Sequence, residues 1–252
     1  MNPKSCSFAL RSPLTRVLHA ARWLPVVVAL VLSPLMSSPR SVSAAEGAKP
    51  AAAGAPEPLA LDRARTAVLI MDYQNDIISM LPPEAQAPLL ERAGTVLKEA
   101  RQAGVPVVYV GVRFREGYPE VNAQNKLFVG LKQSGRLREG TPGAEIDARV
   151  APQPGDIRVT KRRVGAFSTT DLETILRAKN VNTLVLMGIS TSGVVLSTVR
   201  WAADMDYQLV VVGDACADRD PEVQRVLTEK VFPWQGTVVS AAEIVKALGK
   251  HR

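Results

Sequence analysis

Six short aliphatic runs punctuate the chain, at 66–71, 105–112, 157–160, 183–189, 208–213 and 237–239. Most are apolar throughout. A strand with one face in water alternates apolar and polar residues, whereas a continuously apolar strand is covered on both faces, as in a parallel sheet with helices on either side. The segments between the runs carry helical signals. Leu89, Leu90, Ala93, Val96, Leu97 and Ala100 follow the 3.6-residue period and stop at Gly104. Thr170 to Glu173 and Ser240 to Glu243 fit capping boxes, and Asp220-Pro221 places a cap before a proline at the first helical position. The pattern predicts an α/β fold, a doubly wound, Rossmann-like parallel sheet of six strands, with no internal repeat. One stretch breaks the rhythm: residues 115–156 are rich in Gly, Pro, Asn and charge, with a short apolar patch around Leu127 to Leu131. A segment this long serves as a lid or an assembly surface.

The N-terminus has a different character. Lys4, Arg11, Arg16 and Arg22 precede an apolar run from Leu24 to Met36, and Val42-Ser43-Ala44 supplies small residues for cleavage. Residues 1–44 therefore read as a signal peptide and the protein as exported, periplasmic or secreted. The run, interrupted by Pro25 and Pro34, is short of the roughly 20 residues a spanning helix needs, so cleavage is preferred to the alternative of a retained anchor, and no membrane partner is expected once the signal is removed. Residues 45–60 read as a flexible Ala/Pro-rich leader, and 61–252 as one domain, in keeping with a length of 252 residues and 46% hydrophobic content.

The formal charge of +7 and the sequence pI near 9.6 suggest nucleic acid at first sight. Residues 1–44 hold five of the 31 basic residues and none of the 24 acids, so the remainder carries only +2. No basic cluster there is interleaved with aromatics, and nucleic-acid binding is discarded. His19 and Cys6 lie in the signal and His251 stands next to the last residue, which leaves a body with no other histidine and a single cysteine, Cys216. Ser-His-Asp and Cys-His catalysis, His-ligated zinc and an internal disulfide are excluded. No cofactor or metal is implied, the partner is a small-molecule substrate, and a homo-oligomer is compatible with this composition.

Ligands of open α/β sheets bind at the carboxyl ends of the strands. Three polar groups follow the runs there: Asp72 in Met71-Asp72-Tyr73-Gln74-Asn75-Asp76, Lys161 after 157–160, and Gly188-Ile189-Ser190-Thr191-Ser192-Gly193 after 183–189. Each also has a plain structural reading. Asp72 could cap a turn, Lys161 could belong to a solvated run with Arg162 and Arg163, and Ser190, Thr191 and Ser192 could cap a helix through their hydroxyls. Cys216 reads as a small buried residue after a strand; a Ser-Lys pair using Ser190 or Ser192, or Cys216 as a nucleophile, are further alternatives. Val194-Val195 stands where a phosphate loop requires Lys-Ser/Thr, so that loop is excluded.

Asp-x-Gln-x-Asp after the first strand, Lys161 with Gly165-Ala166-Phe167 and Thr170-Asp171-Leu172, and Gly188-Ile189-Ser190-Thr191 leading to Thr198 and Arg200 resemble the isochorismatase-like hydrolase superfamily in order and spacing. The resemblance also takes in 143–146, Asp206-Tyr207 and Asp214-Ala215. It implies that Asp72 is the acid-base carboxylate, that Lys161 is the amine beside it, and that the Ile189-Ser190 peptide is cis. The amides of Ser190 and Val194 would form the oxyanion hole. Gln74 is assigned to the expected pocket, and Tyr73 and Phe167 read either as pocket lining or equally as core. In cysteine-using relatives the thiol lies six residues after the glycine matching Gly188, and here Val194 occupies that place. A valine cannot attack a carbonyl. The expectation is a hydrolase that uses Asp/Lys acid-base chemistry without a thioester, as isochorismatases do when they cleave a vinyl ether. A catalytically silent binding protein of the same fold is the alternative. Arg113 and Arg115 would meet an anionic substrate.

Overall fold

A computed structural model describes residues 59–249. The expected signal peptide, most of the leader and His251 lie outside the described residues. Within them, β1 (Thr66–Met71), β2 (Val107–Val112), β3 (Ile157–Lys161), β4 (Thr183–Ile189), β5 (Gln208–Ala217) and β6 (Thr237–Val239) form one sheet. The order is β3-β2-β1-β4-β5-β6 and every pairing is parallel. This is the doubly wound sheet expected from the sequence. Its switch point lies between β1 and β4, where the winding reverses.

Alternation along β1 shows how the two layers are fed. Val68 and Ile70 point to the core shared with α2 (Pro83–Gln102) and α7 (Ala241–Gly249). Ala67, Leu69 and Met71 point to the opposite core, shared with α4 (Leu172–Ala178) and α5 (Leu196–Asp204). Each fully buried side chain of this size contributes roughly 1.5–3 kcal/mol, so the covering of both faces holds β1 at the centre. In α2 the apolar residues at the 3.6-residue spacing are the buried ones, and Gly104, at φ +70°, ends the helix.

Local signals were realised unevenly. Asp220 caps α6 (Pro221–Val226) by accepting the amides of Glu222 and Val223. The Ser240/Glu243 box closes in both directions. The Thr170/Glu173 box does not form. The Thr170 hydroxyl donates to Ala166 at 2.7 Å, Asp171 takes the cap position, and Glu173 pairs with Arg177 and Tyr207 instead. β5 continues to Ala217, beyond the expected end at Gly213, because a bulge re-registers it against β4 between Leu186 and Gly188.

Two glycines test this packing in opposite directions. A Cβ on Gly236 would stand 2.7 Å from the Leu209 carbonyl oxygen, and that backbone cannot yield. Gly130, inside α3 (Lys126–Ser134), has open space around it. Gly236→Ala is expected to destabilise by about 1–3 kcal/mol, and Gly130→Ala to stabilise by about 1 kcal/mol. Denaturant melts of the two variants check both signs.

Candidate active site

The chain leaves β1 through Asp72 at φ +60°, a left-handed conformation that Asp tolerates better than most side chains. The Asp72 amide donates to Val110 at 2.8 Å, so the turn is anchored on β2. Oδ1 of Asp72 accepts the Val112 amide at 3.1 Å, and Oδ2 lies 2.8 Å from Lys161 Nζ. Lys161 ends β3 and is opposite Val112 in the register, so the amine reaches the carboxylate across the end of β2. Nζ also donates to the Arg163 carbonyl at 3.1 Å. Both side chains are buried, Asp72 to 5% and Lys161 to 2% residual exposure. Burial raises the Asp72 pKa above the ordinary carboxylate value, while the Lys161 ammonium and the Val112 amide pull the other way.

At the end of β4 the Ile189-Ser190 peptide is cis. A single π-helical turn, Thr191–Val195, then leads into α5. Gly193 and Val195 both donate their amides to the Ser190 carbonyl, with Val194 between them. Gly188 is required by close approach, since a Cβ there would stand 2.8 Å from Val195 Cγ2 and 3.2 Å from Val194 Cγ1. The expected hydroxyl caps are absent. Thr191 bonds through its hydroxyl to the Gln224 side chain, and the Ser192 amide is met by the Asp218 carboxylate at 2.7 Å.

These elements border a cavity of about 310 Å³ with Asp72 and Lys161 in its lining, together with Ser190 and Val194 on the β4 side. Two larger depressions, of about 520 and 510 Å³, run along α2 and contain neither residue of the pair. The 115–156 segment supplies the cavity roof: Leu127, Phe128 and Leu131 of α3, with Leu137 after it. The polar residues that follow Asp72, before and within the short helix α1 (Asn75–Ile78), fasten this segment. Gln74 donates to the carbonyls of Val112 (2.8 Å) and Ala144 (2.7 Å) and accepts the Val112 amide at 2.9 Å. Asp76 accepts the Leu137 amide at 2.8 Å. The three cations after β3 diverge: Lys161 enters the floor, Arg162 pairs with Glu120 and Glu139, and Arg163 lies over the Phe128 ring and donates to the Glu120 carbonyl. The reading of this run as a solvated face does not hold for Lys161.

Asp72, Lys161, Ser190, Ile189 and Val194 are thus brought together, and other expected residues are not. Tyr73 is fully buried beneath the site with its hydroxyl donated to the Ala215 carbonyl. Gln74 is consumed by backbone bonds, and Phe167 packs in the α4/α5 core near Tyr207. None of the three lines the cavity. Arg113 and Arg115 are turned to Glu145 and Glu120. Cys216 is buried outside the lining, where burial pushes its thiol up to about 12. Asp218 was missed because the sequence pattern ended β5 four residues early. With the strand carried to Ala217, the strand-end rule finds it.

Comparison with known proteins identifies the family and its fold. The isochorismatase domain profile matches residues 66–243. A ureidoacrylate amidohydrolase, RutB, of Stutzerimonas stutzeri is 31% identical over 208 residues, covering 73% of this chain and 84% of that protein. The crystal structure of a cysteine hydrolase from Pseudomonas syringae superposes with a TM-score of 0.69 at 25% identity, over 76% of this chain and 96% of that one. N-carbamoylsarcosine amidase from Thermoplasma acidophilum gives 0.59 at 29% identity, over 70% and 96%. With the domain match spanning all six strands and the strand-end pair lying inside it, this chain belongs to the isochorismatase family.

Proposed function

We propose that the protein is a hydrolase of a small molecule that works by proton transfer between Asp72 and substrate, assisted by Lys161, without a covalent intermediate. The observation that carries this reading is the buried ion pair of 2.8 Å exposed to one cavity. Burial holds a fraction of Asp72 protonated at a pH where an ordinary carboxyl has lost its proton. In the proposed step that proton moves to the substrate, and the Lys161 ammonium stabilises the carboxylate left behind. Water adds to the activated substrate, the leaving group departs, and the proton lost by the water returns to Asp72. Val194 presents only hydrocarbon to the cavity, so no thioester can form at that position. The amides of Ser190 and Val194 are backbone donors, and a side-chain replacement leaves such donors in place. The amidohydrolase and amidase relatives support the hydrolase class, and the valine favours substrates whose cleavage needs a proton more than a nucleophile.

A screen over small amides, ureides and enol ethers tests the reading. Asp72→Asn and Lys161→Met are each expected to lower turnover by about 100- to 10,000-fold. Each substitution leaves one buried group without its ion-pair partner and is expected to cost roughly 3–5 kcal/mol. Both variants are compared where circular dichroism shows them folded, and parental turnover in both contradicts the site. A parent that turns over nothing while binding a ligand in the cavity makes it a silent binding protein.

Activity is expected to fall as pH rises through the raised Asp72 pKa, because the protonated acid is the donor. The limbs of the profile belong to the pair jointly. Cys216→Ser should retain parental activity, and thiol reagents should leave it intact. Loss of activity in a folded Cys216→Ser variant makes that thiol the nucleophile. We further propose export, carried by the apolar run from Leu24 to Met36 and the Val42-Ser43-Ala44 site. Intact mass from the native host should begin near Ala45, and a soluble cytoplasmic species retaining Met1 contradicts it.

A further inference from the structure

Apart from Arg219, the cations around the cavity are already committed, and its roof is hydrocarbon. Lys161 is held by Asp72 and the Arg163 carbonyl, and the arginines at 113, 115 and 162 face carboxylates. Both oxygens of Asp218 are taken by the amides of Ser192 (2.7 Å) and Arg219 (2.9 Å). Arg219 is exposed at the edge of the lining, where its guanidinium makes no ion pair among the described residues. Above the pair stand Met80, Leu127, Phe128, Leu131 and Leu137. An anionic group beneath this roof would meet hydrocarbon and the Asp72 carboxylate, at a cost in desolvation, with the solvent-exposed Arg219 guanidinium as the one unpaired cation of the lining among the described residues. A hydrocarbon body loses nothing by entering and removes apolar surface from water on both sides.

We propose that the cavity selects an uncharged substrate, with its polar reacting group on the Asp72–Lys161 floor and an alkyl or aromatic body against α3, Leu137 and Met80. The inference rests on the proposed function for the placement of the reacting group. Its size class is small, since about 310 Å³ lies at the lower end of ligand pockets. Leu131, in α3, and Met80, in the turn that follows residues 75–78, become specificity residues, both only partly buried.

The test is affinity along a series of primary amides (propanamide, butanamide and pentanamide), measured by ligand-observed NMR on the full protein. Affinity should improve about fourfold per added methylene. Leu131→Gln and Met80→Gln, each checked for an unchanged melting temperature, should flatten that gradient and weaken pentanamide by about tenfold. Either variant alone suffices if the other unfolds. An affinity that stays flat along the series overturns the proposal. So does tighter binding of succinamate than of butanamide that is lost in Arg219→Gln, because that assigns the body an anionic group held at the rim. The experiment reads affinity and not turnover, so a flat gradient leaves the acid-base role of Asp72 standing, and failure of that role leaves the gradient intact.

Discussion

A carboxylate and an ammonium, both taken out of water at the ends of β1 and β3, set the terms for everything around them. Removing two charges from water costs several kcal/mol per ion, and only close contact with further hydrogen bonds returns it. The Val112 amide and the Arg163 carbonyl supply those bonds. The left-handed turn at Asp72 brings the carboxylate to the Val112 amide across the β1–β2 boundary. Such a pair is poor value as a stabiliser, since hydrocarbon of the same volume often serves as well. In the proposed reaction the pair supplies a carboxyl whose proton is held by burial and whose conjugate base is held by a cation.

The long segment after β2 follows from the same constraint, because a pair on an open sheet edge would be wet. α3 and Leu137 cover the cavity, and the cover is fixed from below by Gln74, Asp76, Arg162 and Arg163, all within a few residues of the pair. Roof and floor are therefore not independent. Arg163 touches both: its guanidinium meets the Phe128 ring and the Glu120 carbonyl in the roof segment, and its own carbonyl holds the Lys161 amine.

Much of this was legible in the sequence where the signal is local and periodic. β1 and β4 could be delimited from their aliphatic runs because both faces of those strands are buried. Asp72 and Lys161 stood out through the strand-end rule and through the spacing shared with the family. What escaped depends on partners without a side-chain signature. Gln74 reads as a pocket residue until its bonds to two backbone carbonyls are seen, and Tyr73 does so until its hydroxyl meets Ala215. The Thr170 box failed because a carbonyl four residues back competed for the hydroxyl. Asp218 was hidden by a bulge, which no alternation of residue types announces. The roof was visible only as an apolar patch, since the residues it covers come from distant parts of the chain.

The central claim concerns the protonation of one side chain, and 13C NMR titration of aspartate-labelled protein reads it directly. The carboxyl signal missing from the Asp72→Asn spectrum is expected to titrate above the ordinary value of about 3.9. It should move higher still in Lys161→Met, where burial acts without the opposing ammonium. A signal that titrates at or below the ordinary value, or that does not respond to loss of Lys161, contradicts the account.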